Sequence, residues 1–200
     1  MVMPLQAADA PFTSLLALLP RTVDGQPEAG SGVAGLRERL IVLISPSKCF
    51  NVAALDLAVG IVPDPTLWTA FRQSGTDAAE VTPFGYVAAA ACYSHAEAEA
   101  WRQRLLAYLR ANRDYAFEAL TAVPGVRAAR PEASYLMWVE LPDLGEPAAD
   151  FFERHGVGVN SAVPFGGTPN CVRLNFGCSR ATLALAVGRM VAALEARGKS

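Results

Sequence analysis

The chain has 200 residues, of which 52% are hydrophobic and 18% are charged. This length allows one large domain or two small ones, and the hydrophobic content argues against a disordered chain, which lacks the apolar surface that offsets the entropy of ordering. The formal net charge is −2, and no run of like charges exceeds two residues. A nucleic-acid partner is therefore not expected, because such partners require clustered Lys and Arg.

The sequence also argues against a membrane or secreted protein. No apolar stretch approaches the ~18 residues of a membrane span, and the first cationic residue, Arg21, follows the apolar segment 15–19 instead of preceding it. A secretory signal has the opposite order. The four cysteines show no Cys-x-x-Cys spacing, and neither histidine stands at a zinc-like spacing from a cysteine. We therefore expect a cytoplasmic protein with reduced, mostly buried thiols, no membrane partner and no metal site.

The first half of the chain predicts an α/β unit around a buried strand. The run at 40–44 is apolar and rich in β-branched residues, which is typical of a strand buried on both faces in a parallel sheet. A short helix is predicted before the glycine- and proline-rich loop 22–38. The expected order is a helix at 12–19, the loop, the strand, a polar turn at 45–48, a short helical segment and a second strand at 57–62.

The second half predicts a long helix and then a separate α+β module. Ser94 and Glu97 have the spacing of a capping box, and Pro124 with Gly125 ends the helical pattern. A helix of this length can bridge two domains. The elements expected beyond it are strands at 134–141, 157–160 and 172–176, a helix at 148–155 and a last helix capped by Ser179.

Lys48 carries the most information about chemistry. It follows Ser45 and Ser47 at the carboxyl end of the predicted strand, where open α/β sheets bind ligands and hydroxyls can hold a phosphate. Apolar surroundings can depress the pKa of a lysine there, and its neutral amine can form a Schiff base. A single lysine just past a strand is more often solvated, so the spacing alone leaves both interpretations open.

The segment 45–55, Ser-Pro-Ser-Lys-Cys-Phe-Asn-Val-Ala-Ala-Leu, resembles the cofactor-lysine segment of pyridoxal-phosphate-dependent enzymes of the aminotransferase fold (fold type I, aminotransferase class I/II). Within that superfamily it looks most like the cystathionine β-lyase-like carbon–sulfur lyases. Three later segments resemble family motifs in the same order, at 134–138 (Ser-Tyr-Leu-Met-Trp), 160–166 and 171–180. The resemblance runs from about residue 10 to the end of the chain.

The resemblance implies an α/β fold with two parts. Residues 1–103 would be the carboxyl-terminal part of the large cofactor-binding domain, and 104–200 would be the small α+β domain. Lys48 would form the Schiff base with pyridoxal 5′-phosphate, and Ser45 and Ser47 would offer hydroxyls to its phosphate.

Arg173 would bind the α-carboxylate of an amino-acid substrate, because a planar guanidinium can grip a carboxylate through two parallel hydrogen bonds. Without the resemblance, Arg173 is an ordinary outward position on an amphipathic strand. Four other residues of the motif segments have simpler expectations. Arg180 is expected to be solvated, Tyr135 and Trp138 to lie in the core, and Cys49 to pack as a small hydrophobe.

The implied reaction is α,β-elimination from a small sulfur-containing amino acid, which gives a thiol, pyruvate and ammonia. The freed amine of Lys48 would remove the Cα proton, and the complete enzyme would be a homodimer. One alternative is a class I/II aminotransferase, which shares the first steps. Another is a non-catalytic remnant or the ligand-sensing domain of a regulator.

The family's amino-terminal half has no counterpart in the chain. An Asn, an Asp that pairs with the pyridine nitrogen, a stacking aromatic residue and a Tyr from the neighbouring subunit are expected there. Met1 stands where the Asp-containing string should be, and Asp9 does not match it. We therefore expect an incomplete chain with an unpaired sheet edge and uncovered apolar faces.

Overall fold

A computed structural model describes residues 12–23, 26–28, 31–75 and 80–197. These residues divide into two compact units, a first unit that ends at Arg102 and a second unit that starts at Gln103. No helix within the described ranges is long and apolar enough to cross a membrane. Both units combine helices with short strands, which agrees with the expected α/β fold class.

The first unit contains two antiparallel strand pairs and two helices. Their bounds are β1 (Thr22–Val23) with β2 (Gln26–Pro27), β3 (Val42–Ile44) with β4 (Val59–Ile61), α1 (Pro65–Ser74) and α2 (Pro83–Ser94). A single 3-10 turn precedes β1 at Leu15–Leu18, and two others lie between strands at Arg37–Arg39 and Ala53–Leu55. The predicted order of helix, strand, polar turn, helical segment and strand is thus confirmed, but the first helix and the later helical segment are each one 3-10 turn. The predicted loop 22–38 contains the strand pair β1 and β2.

The expected burial and pairing of the first strand are wrong. Leu43 in the middle of β3 is 63% exposed and Ile41 just before it is 41% exposed. The partner strand β4 runs antiparallel, with Leu43 opposite Gly60. A two-stranded sheet covers little of its own surface, so an apolar run that looks like an interior strand keeps one face open here.

Helices α1 and α2 are not predicted by the sequence pattern, although both begin with a recognisable signal. The Asp64 side chain accepts from the N–H of Leu67, and the Thr82 side chain accepts from the N–H of Gly85. A proline follows each cap at the first helical position, where its missing N–H costs nothing. In α2 apolar residues lie around the whole circumference, so no helical period marks it.

The long helix α3 (Ala96–Thr121) has about the predicted length, but it does not start from a cap at Ser94. Ser94 is the last residue of α2, and its hydroxyl donates to the backbone oxygen of Ala90. The predicted capping box with Glu97 is therefore wrong, because the Ser94 hydroxyl is committed to the preceding helix. The helix ends before Pro124, as expected.

The second unit is an α+β module built on a four-stranded antiparallel sheet in the order β5-β6-β8-β7. Its elements are β5 (Arg127–Ala128), β6 (Leu136–Glu140), α4 (Ala148–Arg154), β7 (Asn160–Ser161), β8 (Cys171–Asn175) and α5 (Arg180–Arg197). The expected module is confirmed, with β7 shorter and later than the strand predicted at 157–160. Its core includes Phe152, Phe176, Met137, Leu183 and Met190, which are almost completely buried.

Helix α5 begins where the sequence places its cap. The hydroxyl of Ser179 accepts from the N–H of Thr182 at 3.1 Å. The predicted apolar face of the helix is buried at Leu183, Val187 and Met190. Residues 176–178 join the end of β8 to this cap.

Candidate functional site

The polar turn after β3 is closed by hydrogen bonds around Ser45. The Ser45 hydroxyl donates to the backbone oxygen of Leu57 at 2.7 Å and accepts from the backbone N–H of Ser47 at 3.1 Å. The N–H of Phe50 donates to the backbone oxygen of Pro46 at 2.9 Å. These bonds tie the turn to the segment that leads into β4, so the position of Lys48 is set by its neighbours.

The two predicted hydroxyls lie together but have different freedom. Ser45 and Ser47 are hydrogen-bonded to each other through their side-chain oxygens. A hydroxyl carries one proton, and that of Ser45 is donated to the backbone oxygen of Leu57. The Ser47 hydroxyl is therefore the one that can donate its proton to an anion while the hydrogen bond from Ser45 to Leu57 stays in place.

Lys48 is exposed, whereas the next residue, Cys49, is only 3% exposed. The apolar surroundings expected for Lys48 are thus not present, because the buried positions of this turn are Pro46 and Cys49. Burial raises the pKa of the Cys49 thiol, and the nearby Arg102 guanidinium opposes that rise. The expectation that Cys49 packs as a small hydrophobe is confirmed.

Phe50 anchors the other end of the turn. Its ring stacks on that of Trp101 with centroids 6.4 Å apart, and it meets the ring of Tyr93 edge-on at 6.3 Å. Asn51 then adopts a left-handed backbone conformation with φ of 56°, a conformation that Asn tolerates better than most residues. Lys48 therefore projects from a turn that is fixed on both sides by buried or stacked side chains.

Arg173 lies on β8 in the second unit, opposite Trp138 on β6 and Asn160 on β7. Its neighbours Val172 and Leu174 are buried on the other face of the sheet, as strand alternation requires. The Arg173 side chain is half-buried, and its Nε is buried with no hydrogen-bond partner within the described ranges. An unsatisfied buried donor is uncommon in folded proteins.

An aromatic ring that the sequence analysis does not single out covers this arginine. The guanidinium carbon of Arg173 lies 3.9 Å from the centroid of the Phe165 ring. The ring of Trp138 meets Phe165 edge-on at 6.5 Å. Trp138 is 39% exposed, so its expected place in the core is wrong: it stands on the outward face with Arg173. The sequence signals for Phe165 are its place in the motif segment 160–166 and its position just before the pair Gly166 and Gly167.

The structure also bears on the expectations for Tyr135 and Arg180 in the second unit. Tyr135, which is expected in the core, is half-buried. Arg180 is also half-buried and lies 4.7 Å over the ring of Tyr115, so it is not simply solvated. The flat guanidinium allows such stacking, which the position one residue past a helix cap does not indicate.

The same face of the sheet carries a cavity of about 380 Å³. Its walls include Trp138, Gly167, Thr168, Cys171 and the ion pair of Arg127 with Glu140. The Arg127 guanidinium lowers the pKa of the Glu140 carboxyl, and burial followed by the charge of Glu140 raises the pKa of the Cys171 thiol.

The four cysteines form no disulfide, as expected, but only Cys49 is buried. Cys92, Cys171 and Cys178 are half-buried. The sequence-predicted site residues thus form two groups. Ser45, Ser47 and Lys48 share one turn of the first unit, and Arg173 stands in the second unit.

No protein-family model matches the chain, but individual proteins do. The chain is 29% identical over 182 residues to a cystathionine beta-lyase of Corynebacterium glutamicum, covering 88% of this chain and 48% of that protein. It is 32% identical over 163 residues to the cystathionine beta-lyase PatB of Bacillus subtilis (strain 168), covering 78% of this chain and 42% of that protein. The chain thus spans about half the length of the relatives it matches.

Solved structures share the fold. The crystal structure of OvoB superposes with a TM-score of 0.75 at 38% identity, covering 84% of this chain and 46% of that one. A putative pyridoxal-phosphate-dependent beta-cystathionase from Corynebacterium diphtheriae superposes with a TM-score of 0.71 at 30% identity, covering 82% of this chain and 46% of that one. The chain belongs to the fold-type-I, aminotransferase-fold family of pyridoxal-phosphate-dependent enzymes, in which it corresponds to the carboxyl-terminal part and resembles the cystathionine β-lyase-like carbon–sulfur lyases.

Proposed function

We propose that this chain is part of a pyridoxal-phosphate-dependent carbon–sulfur β-lyase that acts on a small sulfur-containing amino acid. The observation that carries the proposal is the turn at 45–51. It presents an exposed Lys48 amine next to the Ser47 hydroxyl and is pinned by the bond from Ser45 to Leu57. The similarity to cystathionine β-lyases supports the same reaction class.

The residues of the turn fit the cofactor chemically. An amine is needed to form a Schiff base with an aldehyde, and Lys48 offers one. A phosphate is bound by hydrogen-bond donors. The Ser47 hydroxyl is such a donor, and it does not make the bond to Leu57 that closes the turn. We propose that Lys48 and Ser47 hold the cofactor directly, while Ser45 contributes mainly by keeping the turn closed.

When bound, pyridoxal phosphate supplies an electron sink for the charge that develops at the substrate Cα. The proposed work of this chain is to bind, orient and move a proton. Arg173 binds the substrate α-carboxylate through its in-plane N–H groups. The Lys48 amine takes the Cα proton, and the C–S bond then breaks with its electron pair leaving on sulfur. The departing thiolate would take up a proton to give the thiol, and the released enamine would tautomerise to an imine that one water hydrolyses to pyruvate and ammonia.

The same proposal divides the chain into the carboxyl-terminal part of a large domain, 1–103, and a small domain, 104–200. It also includes a cytoplasmic homodimer. Exposed apolar side chains in the first unit support an interface: Phe84, Tyr86 and Val87 on α2 are 76%, 63% and 70% exposed. Clustered apolar exposure of this kind marks interaction surfaces.

The chain offers a sharp test because it has only two lysines, Lys48 and Lys199. The protein is incubated with pyridoxal phosphate, reduced with borohydride and mapped by peptide mass spectrometry. We expect the pyridoxyl label on Lys48 in excess of Lys199, and no selective label in Lys48→Arg. Equal labelling of both lysines, or label on Lys199 alone, would contradict the assignment.

The reaction class is tested separately by the products formed from L-cystathionine in the complete protein that carries this chain. Equimolar thiol and pyruvate are expected of a lyase. An aminotransferase would instead convert the amino acid to its oxo acid without release of a thiol, and that outcome would replace the lyase proposal.

A further inference from the structure

We propose that Phe165 is a positioning residue, which holds the Arg173 guanidinium flat so that a ligand carboxylate meets it in its own plane. This inference rests on the proposed function, in which Arg173 binds the substrate carboxylate. It gives a role to a residue that lies in the motif segment 160–166 but has no role assigned by it. Three observations carry it: the ring contact, the unsatisfied nitrogen and the way in which the Phe165 turn is built.

The ring contact is the tightest of its kind among the described residues. Four arginines lie over aromatic rings, and the guanidinium carbon of Arg173 is 3.9 Å from its ring centroid. The other three distances, for Arg72, Arg130 and Arg180, are 5.7, 4.5 and 4.7 Å. At 3.9 Å the ring covers one face of the guanidinium, so an anion can approach only from the edge or from the opposite face. The edge carries the N–H groups that a carboxylate grips in pairs.

Arg173 differs from Arg130 in what else it contacts. Arg130 lies over Phe117 and also pairs with the carboxylate of Asp114 at 3.2 Å. No ion pair of Arg173 with a carboxylate occurs in the part of the chain that the structure describes, and its Nε is buried without a hydrogen-bond partner. An arginine stacked on a ring and lacking a protein anion is suited to an external one.

The turn that carries Phe165 is fixed around one buried residue. Ala162 is fully buried, and its backbone oxygen accepts from the N–H of Phe165 at 2.9 Å and of Gly167 at 3.0 Å. Gly166 has a φ of 83°, which favours glycine. A Cβ on Gly167 would lie 2.5 Å from the Cβ of Ala162 and 3.0 Å from the Trp138 ring. The ring of Phe165 is therefore held in place even though it is 51% exposed.

Trp138 supplies the second wall. It stands opposite Arg173 in the strand register and meets Phe165 edge-on, a preferred arrangement of aromatic pairs. With Phe165 over its face and Trp138 beside it, the guanidinium has few orientations left. A guanidinium that is already oriented loses less conformational entropy when it binds a carboxylate.

The test measures access to Arg173 directly. Phenylglyoxal modifies arginines, and peptide mapping gives the rate at Arg173 with and without acetate or L-cystathionine as the protecting carboxylate. In the wild-type chain we expect carboxylates to slow the modification of Arg173. In Phe165→Leu, which keeps an apolar side chain but removes the ring, the concentration for half-protection should rise roughly 3–30-fold.

Two variants control for a merely structural role. Phe165→Tyr keeps the ring and should protect within about twofold of wild type. Val163→Ala changes an exposed residue of the same turn and should leave protection unchanged. In the complete protein, Phe165→Leu should raise KM for the substrate by more than it lowers kcat.

The outcomes separate the two proposals. Protection in the wild type that is unchanged in Phe165→Leu would overturn the positioning role and leave the role of Arg173 intact. Failure of any carboxylate to protect Arg173 in the wild type would overturn both. Loss of protection in Phe165→Tyr as well as Phe165→Leu would mean that the turn itself is being disturbed, which also contradicts the specific role of the ring.

Discussion

The side-chain nitrogen of Asn112 donates a hydrogen bond to the backbone oxygen of Phe176, 64 residues further along the chain, at 3.0 Å. The same nitrogen donates to the backbone oxygen of Cys178 at 2.9 Å. Asn112 is the one polar residue that is fully buried within the described ranges. These bonds satisfy the backbone between β8 and α5, where the chain has left the sheet and the last helix has not yet begun.

Replacing Asn112 by Ala should destabilise the second unit strongly. Both backbone oxygens would lose a buried donor, and a small cavity would remain. We expect a loss of about 2–4 kcal/mol in the free energy of unfolding, measured by urea titration followed by tryptophan fluorescence. Arg104→Ala, an exposed change on the same helix, should stay within about 0.5 kcal/mol of wild type. Equal stability of the two variants would refute the role of Asn112.

The second unit also allows a matched pair of glycine substitutions. Gly167→Ala places a Cβ against Ala162 and the ring of Trp138, and we expect a loss of about 1–3 kcal/mol from the overpacking. Gly188→Ala, in α5, meets nothing within 4 Å and should stabilise the unit by about 0.5–1 kcal/mol, because alanine is the better helix former. Melting temperatures should therefore move in opposite directions, and a shared direction would contradict the packing described for Gly167.

Local patterns predict the second unit better than the first. Alternation along β8 places Val172 inside and Arg173 outside, and Ser179 is readable as a cap because a helical period follows it. Leu43 is misread because an apolar run is the same sequence whether a neighbouring layer covers it or not. Ser94 is misread because its hydroxyl has two candidate partners, and only the packing of α2 decides between them.

The candidate site, too, is only partly predictable from local sequence patterns. The position of Lys48 after two hydroxyls is visible in the sequence, but the difference between Ser45 and Ser47 is not. That difference depends on the backbone oxygen of Leu57, which the fold brings to Ser45. The contact of Phe165 with Arg173 is invisible for a similar reason, since it joins a turn to one face of the following strand and no local pattern along the chain predicts it.

The unequal roles of Ser45 and Ser47 can be separated by mutation. Ser47→Ala should weaken pyridoxal-phosphate binding by about 10–150-fold, the equivalent of one hydrogen bond to a charged group at about 1.5–3 kcal/mol, with little change in stability. Ser45→Ala should instead lower the stability of the first unit by about 1–3 kcal/mol, since the backbone oxygen of Leu57 loses its donor. Cofactor titration followed by borohydride trapping at Lys48 measures the first effect, and thermal unfolding measures the second.

The control for this pair is Ser74→Ala at the exposed end of α1, where the hydroxyl donates to the backbone oxygen of Phe71 within its own helix. It should change neither cofactor binding nor unfolding by more than about 0.5 kcal/mol. Ser45→Ala could weaken cofactor binding as much as Ser47→Ala and leave the stability of the first unit unchanged. In that case both hydroxyls would contact the phosphate, and the distinction drawn from the Leu57 bond would be wrong.

The buried thiol of Cys49 predicts how the first unit responds to alkaline pH. Burial raises the pKa of this thiol in the folded state, whereas an unfolded cysteine ionises near about 8.5. Below that value both states are protonated and Cys49 adds no pH dependence. As the pH rises through it, the unfolded state loses its proton first, so the free energy of unfolding falls until the folded thiol also ionises.

Iodoacetamide labelling at mildly alkaline pH reports the same property residue by residue. The half-buried Cys92, Cys171 and Cys178 should be alkylated well before Cys49, because Cys49 is the least accessible of the four to the reagent. Cys49→Ala should reduce the alkaline loss of stability in the first unit, while Cys178→Ala in the second unit should leave that loss unchanged. Early alkylation of Cys49 in the folded protein would mean that the turn beside Lys48 opens readily, and it would contradict the anchoring that Cys49 and Phe50 give to that turn.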